Sequence, residues 1–440
     1  MDAIRKTVAM AAVALTMSGA LGGAAAQPTA LEPGEILGTW YRLMLELVRH
    51  TATYSPPVAS RAFAYVGVTA FEAVASGSDG LRSLAGQLNG LQTVPRREAA
   101  QTYDEAVVLH SAVATVVRDL FSNTGPTGQM VLAALERDLG DGAARGVPAD
   151  VVARSETHGR AVADHILAWS RDDGGAAVEN MGFPLEYALS TDPSRWVPTS
   201  LIQMQQAPLL PGWGENRTFA MPDGASCSLP PPPAYSEDES SDFYREALEV
   251  YETTLSLTPD EAEIARFWSD DPMLSPTPPG HWVSIAMQIM EREGTDIETS
   301  VDLLARLGVA LADSFIGCWQ AKYQYDLVRP LTYIRRLIDP AWDTLVFTPP
   351  FPEYPSGHST QSAAAAEVLT DMFGEDFAFA DATREGEGVE PRFYPDFWAA
   401  AEEAGISRLY GGIHFRAAIE RGLDQGRCIA AYTNALRTRR

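Results

Sequence analysis

Apolar positions along the chain recur mostly at helical spacing, and alternating strand patterns are scarce. The pattern predicts helices over 34–51, 57–76, 98–121, 127–139 and 149–171, and then over 241–256, 259–269, 281–293, 298–327, 358–373 and 409–436. Thr258-Pro259-Asp260-Glu261 is a well-marked start: a cap residue, proline in the first turn and early acids. Between about 172 and 240 the periodicity dissolves into turn signals such as Asp172-Asp173-Gly174-Gly175, Pro211-Gly212-Trp213-Gly214 and the run Pro230 to Pro233. Trp196, Leu209, Leu210 and Trp213 make this stretch too apolar for a free linker, so it is expected to be an irregular layer covering helices. No repeat of fixed period is present. The expectation is an all-α protein built of helical bundles.

The first residues read as an export signal rather than as structure. Arg5 and Lys6 precede a small apolar stretch from Thr7 to Ala20, and Ala24-Ala25-Ala26 offers a cleavage position before Gln27. The alternative, a membrane anchor, needs a longer run. The expected organisation is a signal peptide over 1–26, an N-terminal helical region with its irregular covering segment over 27–240, and a C-terminal helical region over 241–440. No other segment is expected to span a membrane, and the destination is periplasmic or secreted.

The 440 residues are 46% hydrophobic, which supports a sizeable core. With 33 basic against 58 acidic side chains, the formal charge is −25. Such a surface repels nucleic acid and anionic lipid, and any internal anion site must overcome it with local cations. Cys227, Cys318 and Cys428 have no metal-binding or redox spacing. They are expected to be small buried hydrophobes, with one disulfide possible and its partners open.

Three blocks in the last third of the chain carry groups suited to an oxyanion. In Lys322-Tyr323-Gln324-Tyr325-Asp326-Leu327-Val328-Arg329-Pro330, two cations lie seven residues apart, expected on one helix face about 10 Å along the axis, with Pro330 ending the helix. Phe351-Pro352-Glu353-Tyr354-Pro355-Ser356-Gly357-His358 reads as a tight loop opening a helix. Ser356 is its cap, unpaired N–H groups lie at its mouth and His358 is available for proton transfer. In Ser407-Arg408-Leu409-Tyr410-Gly411-Gly412-Ile413-His414, Arg408 and His414 would face apart on one helix, and the glycine pair permits a turn that lets both meet one ligand.

Together these blocks, spanning about 319–426, resemble the tripartite signature shared by vanadium-dependent haloperoxidases and type 2 phosphatidic acid phosphatase-like acid phosphatases. The resemblance implies that Lys322, Arg329 and Arg408 neutralise an oxyanion, with Ser356 and the Gly357 N–H as further donors. His414 would bind vanadate as the metal ligand, or attack phosphorus, and His358 would be the acid–base group. Trp319 and Phe351 are similar to aromatic residues near the proposed halide site of fungal-type chloroperoxidases. The implied function is an exported vanadium-dependent haloperoxidase using vanadate, hydrogen peroxide, a halide and an organic acceptor. The alternative is an acid phosphatase acting on phosphomonoesters, without a cofactor, and a third reading is a non-catalytic oxyanion receptor.

One position departs from the family pattern. The acid usually found four residues after the second histidine is Ala418 here, and Glu420 lies on another helix face. A nucleophilic histidine needs such a partner to fix its tautomer, so the departure counts against the phosphatase. Among the other histidines, His281 in Pro278-Pro279-Gly280-His281-Trp282 is expected to edge the substrate entrance, and Asp270 and Asp271 are candidates for orienting His358.

Overall fold

The computed structural model describes residues 29–177, 187–200 and 207–440, so the proposed signal segment lies outside the described residues. Among these residues the chain is all-α. The first group of helices comprises α1 Pro33–Arg49, α2 Pro56–Ala75, α3 Glu105–Leu120, α4 Gly125–Ala143 and α5 Ala149–Ser170. After the irregular stretch come α6 Asp242–Leu255, α7 Pro259–Phe267, α8 Thr277–Glu293, α9 Ile297–Tyr325, α10 Pro330–Leu337 and α11 Gly357–Phe373. A short antiparallel pair, β1 Phe379–Asp381 with β2 Arg392–Tyr394, precedes α12 Phe397–Tyr410 and α13 Arg416–Asn434.

Two helices organise the core because they are apolar on nearly every side. All residues of α2 from Pro57 to Ala75 are buried, and α9 is buried without a break from Ser300 to Trp319. They pack along each other, and α11 and α13 pack on the far side of α9. The main hydrophobic cluster is therefore continuous from α1 to α12, across the chain position at 240. By length and composition alone α2 could cross a membrane, contrary to the expectation that nothing beyond residue 26 approaches a span, yet it lies wholly inside the protein.

Several predicted boundaries move. The expected 98–121 helix starts at Glu105, where the Asp104 side chain accepts the Val107 N–H. The expected 409–436 helix is two: α12 ends at Tyr410, Gly412 turns the chain at φ +80°, and α13 begins at Arg416. Neither α10 nor α12 was expected. The eight residues of α10 begin at Pro330, a residue read as a stop that instead occupies a first helical position.

The described part of 172–240 is irregular and packs against the helices. Trp196, Leu209, Leu210 and Trp213 are buried. Asp313, deep in α9, accepts the backbone N–H groups of Phe219 (2.6 Å), Ala220 (2.8 Å) and Met221 (2.9 Å). The Leu209 carbonyl in turn accepts Trp319 Nε1 (3.0 Å) and the Tyr323 hydroxyl. Cys227 of this layer is bonded to Cys428 of α13, which settles the open pairing and corrects the reading of all three cysteines as plain hydrophobes. Cys318 alone is a free, buried thiol.

Candidate functional site: a buried cluster of cations around His414

Lys322 lies near the end of α9. Two residues on from the last helical residue, Leu327 starts an extended stretch, after Asp326 takes a left-handed turn at φ +48°. Arg329 therefore caps α10 instead of sharing a helix face with Lys322, which corrects that expectation. Both cations still converge, because the strap 351–355 runs over them. Lys322 Nζ donates to the carbonyls of Pro352 and Glu353 (3.0 Å each) and of Pro355. Arg329 Nε donates to Phe351 O (2.9 Å) and its Nη1 to Ile413 O (2.9 Å). Arg408, on the last turn of α12, donates to Ser407 Oγ (2.9 Å) and Ala265 O (3.2 Å).

All three cations are buried, and among the described residues none forms an ion pair with a carboxylate. Among the described residues Arg329 Nη2 has no hydrogen-bond partner. Burial pulls Lys322 down to about 7 and each arginine down to about 10, with Arg329 adding repulsion at Lys322. Buried charge without a direct ion pair is expensive, and here Glu353 acts on Lys322 and Arg329, and Asp270 and Asp271 on Arg408, only beyond ion-pair distance. The cluster is thus built for an anion that supplies the missing charge.

His414 follows the Gly412 turn and stands at the centre. Its Nδ1 is 2.8 Å from Glu353 Oε1, which also accepts the Phe415 N–H at 2.8 Å, and its Nε2 is 3.2 Å from Arg329 Nη1. An arginine can only donate, so Nε2 carries the lone pair and Nδ1 the proton. Burial, then Arg329, Lys322, Arg408 and His358, hold the ring well below the usual histidine range. His414 is a neutral imidazole with a basic nitrogen facing the cations, suited to ligate a metal or attack an electrophile. Glu353 supplies the acid that position 418 lacks; Glu420 is exposed and plays no such part. Burial pushes Glu353 up to about 8, against the pull of Arg329, the Phe415 amide and Lys322.

The α11 mouth completes the cluster. Ser356 Oγ accepts the Ser359 N–H (3.3 Å) as the cap, and Gly357 opens the helix with its amide free of intrahelical bonding. A side chain at Gly357 would meet Trp319 at 3.7 Å. His358 lies 3.7 Å from Asp270 Oδ2, an ion-pair distance beyond hydrogen-bond reach. Burial and Arg408 push His358 down to about 4, with Asp270 opposing. The Trp319 and Phe351 rings are 4.9 Å apart, and Phe351 has Lys322 Nζ and Arg329 Cζ each 5.0 Å from its centroid. An aromatic wall therefore borders the cations.

All nine sequence-predicted site residues fall in this one region. His281 does not edge an entrance: it is fully buried between Asp270 and Asp381. Sequence reading missed Glu353 and Asp381. Glu353 stands as the one acid in the strap Phe351-Pro352-Glu353-Tyr354-Pro355, but it lies 61 residues before His414, whereas the family pattern points to an acid after it. The donor set fits vanadate or phosphate: three unneutralised cations, an unpartnered guanidinium nitrogen and a basic imidazole nitrogen.

A family profile described as the VCPO second helical-bundle domain matches residues 302–342 and 337–439. The vanadium chloroperoxidase of Curvularia inaequalis is 35% identical over 82 residues, covering 15% of this chain and 14% of that protein, so the chain matches only a small part of that relative's length. The crystal structure titled as the first bacterial vanadium-dependent iodoperoxidase is similar at a TM-score of 0.84 and 37% identity, over 94% of this chain and 98% of that one. A holo-type bacterial vanadium-dependent chloroperoxidase shares the fold at a TM-score of 0.67 and 16% identity, over 88% and 94% of the two chains. Near-complete coverage at 37% identity, added to a cation cluster around a histidine, places this chain in the vanadium haloperoxidase family of enzymes.

Proposed function

We propose that this chain is an exported haloperoxidase that holds vanadate at His414 and oxidises a halide with hydrogen peroxide, passing the oxidised halogen to an organic acceptor. The observation that carries the reading is the buried, unneutralised triad Lys322, Arg329 and Arg408 around the lone pair of His414 Nε2. In this reading the triad neutralises the oxyanion, Ser356 Oγ and the Gly357 amide donate to it, and Glu353 keeps Nδ1 protonated so that Nε2 remains the ligand. Bound vanadate supplies Lewis acidity that activates peroxide. His358 handles the proton as peroxide arrives, and the Trp319–Phe351 wall keeps the halide's approach poor in water. A relative titled an iodoperoxidase makes iodide the first halide to test. Export is supported by the Cys227–Cys428 disulfide, which suits an oxidising compartment; N-terminal sequencing of the mature protein should begin at Gln27.

One observation favours a second reading. The Glu353–His414 pair restores the acid partner whose loss at position 418 argued against phosphohistidine chemistry. Purified protein should therefore be assayed for iodide oxidation by peroxide and for p-nitrophenyl phosphate hydrolysis, each with and without vanadate. The haloperoxidase reading expects vanadate-dependent iodide oxidation, abolished in His414→Ala. Phosphate ester hydrolysis inhibited by vanadate, with no iodide oxidation, would replace it with the phosphatase.

A further inference from the structure

A second cluster of buried titratable groups lies behind His358, assembled from three elements. Asp270 follows α7 in a left-handed backbone conformation at φ +48°, His281 sits in the first turns of α8, and Asp381 ends β1. His281 is fully buried, with Nδ1 2.9 Å from Asp270 Oδ1 and Nε2 2.7 Å from Asp381 Oδ2. A neutral imidazole has one N–H and one lone pair, so it cannot donate to both carboxylates; an imidazolium can. Trp268 stacks on the same ring at 4.3 Å and 16°, a face that favours a cation. The Thr383 amide, donating at 2.9 Å, holds the other Asp381 oxygen. Of the oxygens on these two carboxylates, the second of Asp270 has no hydrogen-bond partner among the described residues, and it is the one nearest His358.

Two buried carboxylates against one imidazolium leave one negative charge in an apolar setting, an arrangement that costs stability compared with hydrocarbon packing. Arg408, drawn electrostatically to Asp270, offsets it. We propose that His281 is a positioning residue for the reaction: clamped by Asp381, it fixes Asp270 as an ionised carboxylate 3.7 Å from His358 Nε2 and so aims that ring at the oxyanion cluster. The inference rests on the reading of His358 as the proton-handling group. The charge balance agrees with it. Burial works against the charge on His281, yet Asp270 and Asp381 carry it up to about 10; burial likewise opposes ionisation of Asp270, yet His281 and His358 hold it well below the usual carboxylate range. The charged and titratable groups facing His358 are Asp270, His281, Arg408 and, across the cluster, His414.

The test uses the full chain, first without vanadate. In histidine-labelled protein, nitrogen NMR near neutral pH should show His281 with both ring nitrogens protonated, and His281→Gln and Asp381→Asn should each shift the titration of His358. With vanadate, both variants should lose at least about tenfold in kcat for iodide oxidation while the iodide KM and vanadate affinity stay near wild type. Circular dichroism verifies folding, and Asp381→Asn keeps the test intact should His281→Gln fail to fold. A single protonated nitrogen on wild-type His281, or a folded variant with an unmoved His358 titration and unchanged kcat, overturns the proposal. A wild type that oxidises no halide refutes the functional reading alone, because the NMR comparison still decides what His281 does to His358.

Discussion

A single oxygen of Glu353 serves both His414 Nδ1 and the Phe415 amide. Replacing that carboxyl group with an amide keeps the shape but puts an NH2, which can only donate, in competition with the oxygen that fixes the tautomer. Glu353→Gln is expected to lower vanadate affinity or turnover by about 10–100-fold, whereas Glu420→Gln, at an exposed position, should leave both unchanged; calorimetric vanadate titration and steady-state kinetics check this. Lys322 gives a pH prediction. Its folded value of about 7 lies below the ordinary 10.5, so the unfolded chain binds more protons between these limits and the anion-free protein gains stability from this group as pH rises through them. An oxyanion favours charged Lys322 and opposes that trend. Sulfate, whose own charge is constant here, should therefore bind with full affinity below about pH 7 and progressively more weakly above it, with proton uptake seen when calorimetry is repeated in buffers of different ionisation enthalpy. An affinity independent of pH would contradict the picture.

Among the helices, what could be read in advance was whatever buries one stripe. Helices α1 and α6 show that stripe, and α7 shows its Thr258 capping box, so their limits were legible. Helix α12 buries Phe397, Ala400, Ala401, Ala404, Gly405, Ser407, Arg408 and Leu409, and its outer face mixes Glu402 and Glu403 with Trp398, Ala399 and Ile406, so polarity sets no clear period; only Asp396, whose side chain accepts the Ala399 N–H, marked its start. The site residues themselves were legible because cations, histidines and a helix-opening serine cluster in short blocks. Their tertiary partners were not, since Glu353 and His414 are 61 residues apart. Close helix approach also leaves a trace in glycine. At Gly426 an added Cβ would sit 2.2 Å from Thr360 O on α11. Gly426→Val is expected to cost about 1–3 kcal/mol, measured by urea unfolding, and to weaken oxyanion binding by displacing the α11 mouth.

For the molecule as a whole, the disulfide joins positions 201 residues apart and secures the irregular layer to α13. Cys428→Ser, or full reduction, should remove about 2–4 kcal/mol of stability, read as a lower urea midpoint, with Cys318 too deeply buried to substitute as a partner. Unchanged stability on reduction would mean the layer is held by its other contacts, chief among them the Asp313 carboxylate. The acidic exterior and the cationic interior act in opposition: a formal charge of −25 repels the anions that the buried triad attracts.

The Leu209 carbonyl takes hydrogen bonds from both Trp319 and Tyr323, so the orientation of the indole beside Phe351 is dictated from outside the helical bundle. Under the proposed function, preference among halides would then be partly a property of the outer coat. A relative that keeps every lining side chain but rebuilds the loop around position 209 would tilt the indole differently, and its choice between a small, tightly hydrated halide and a large, loosely hydrated one would drift with no change at the lining itself.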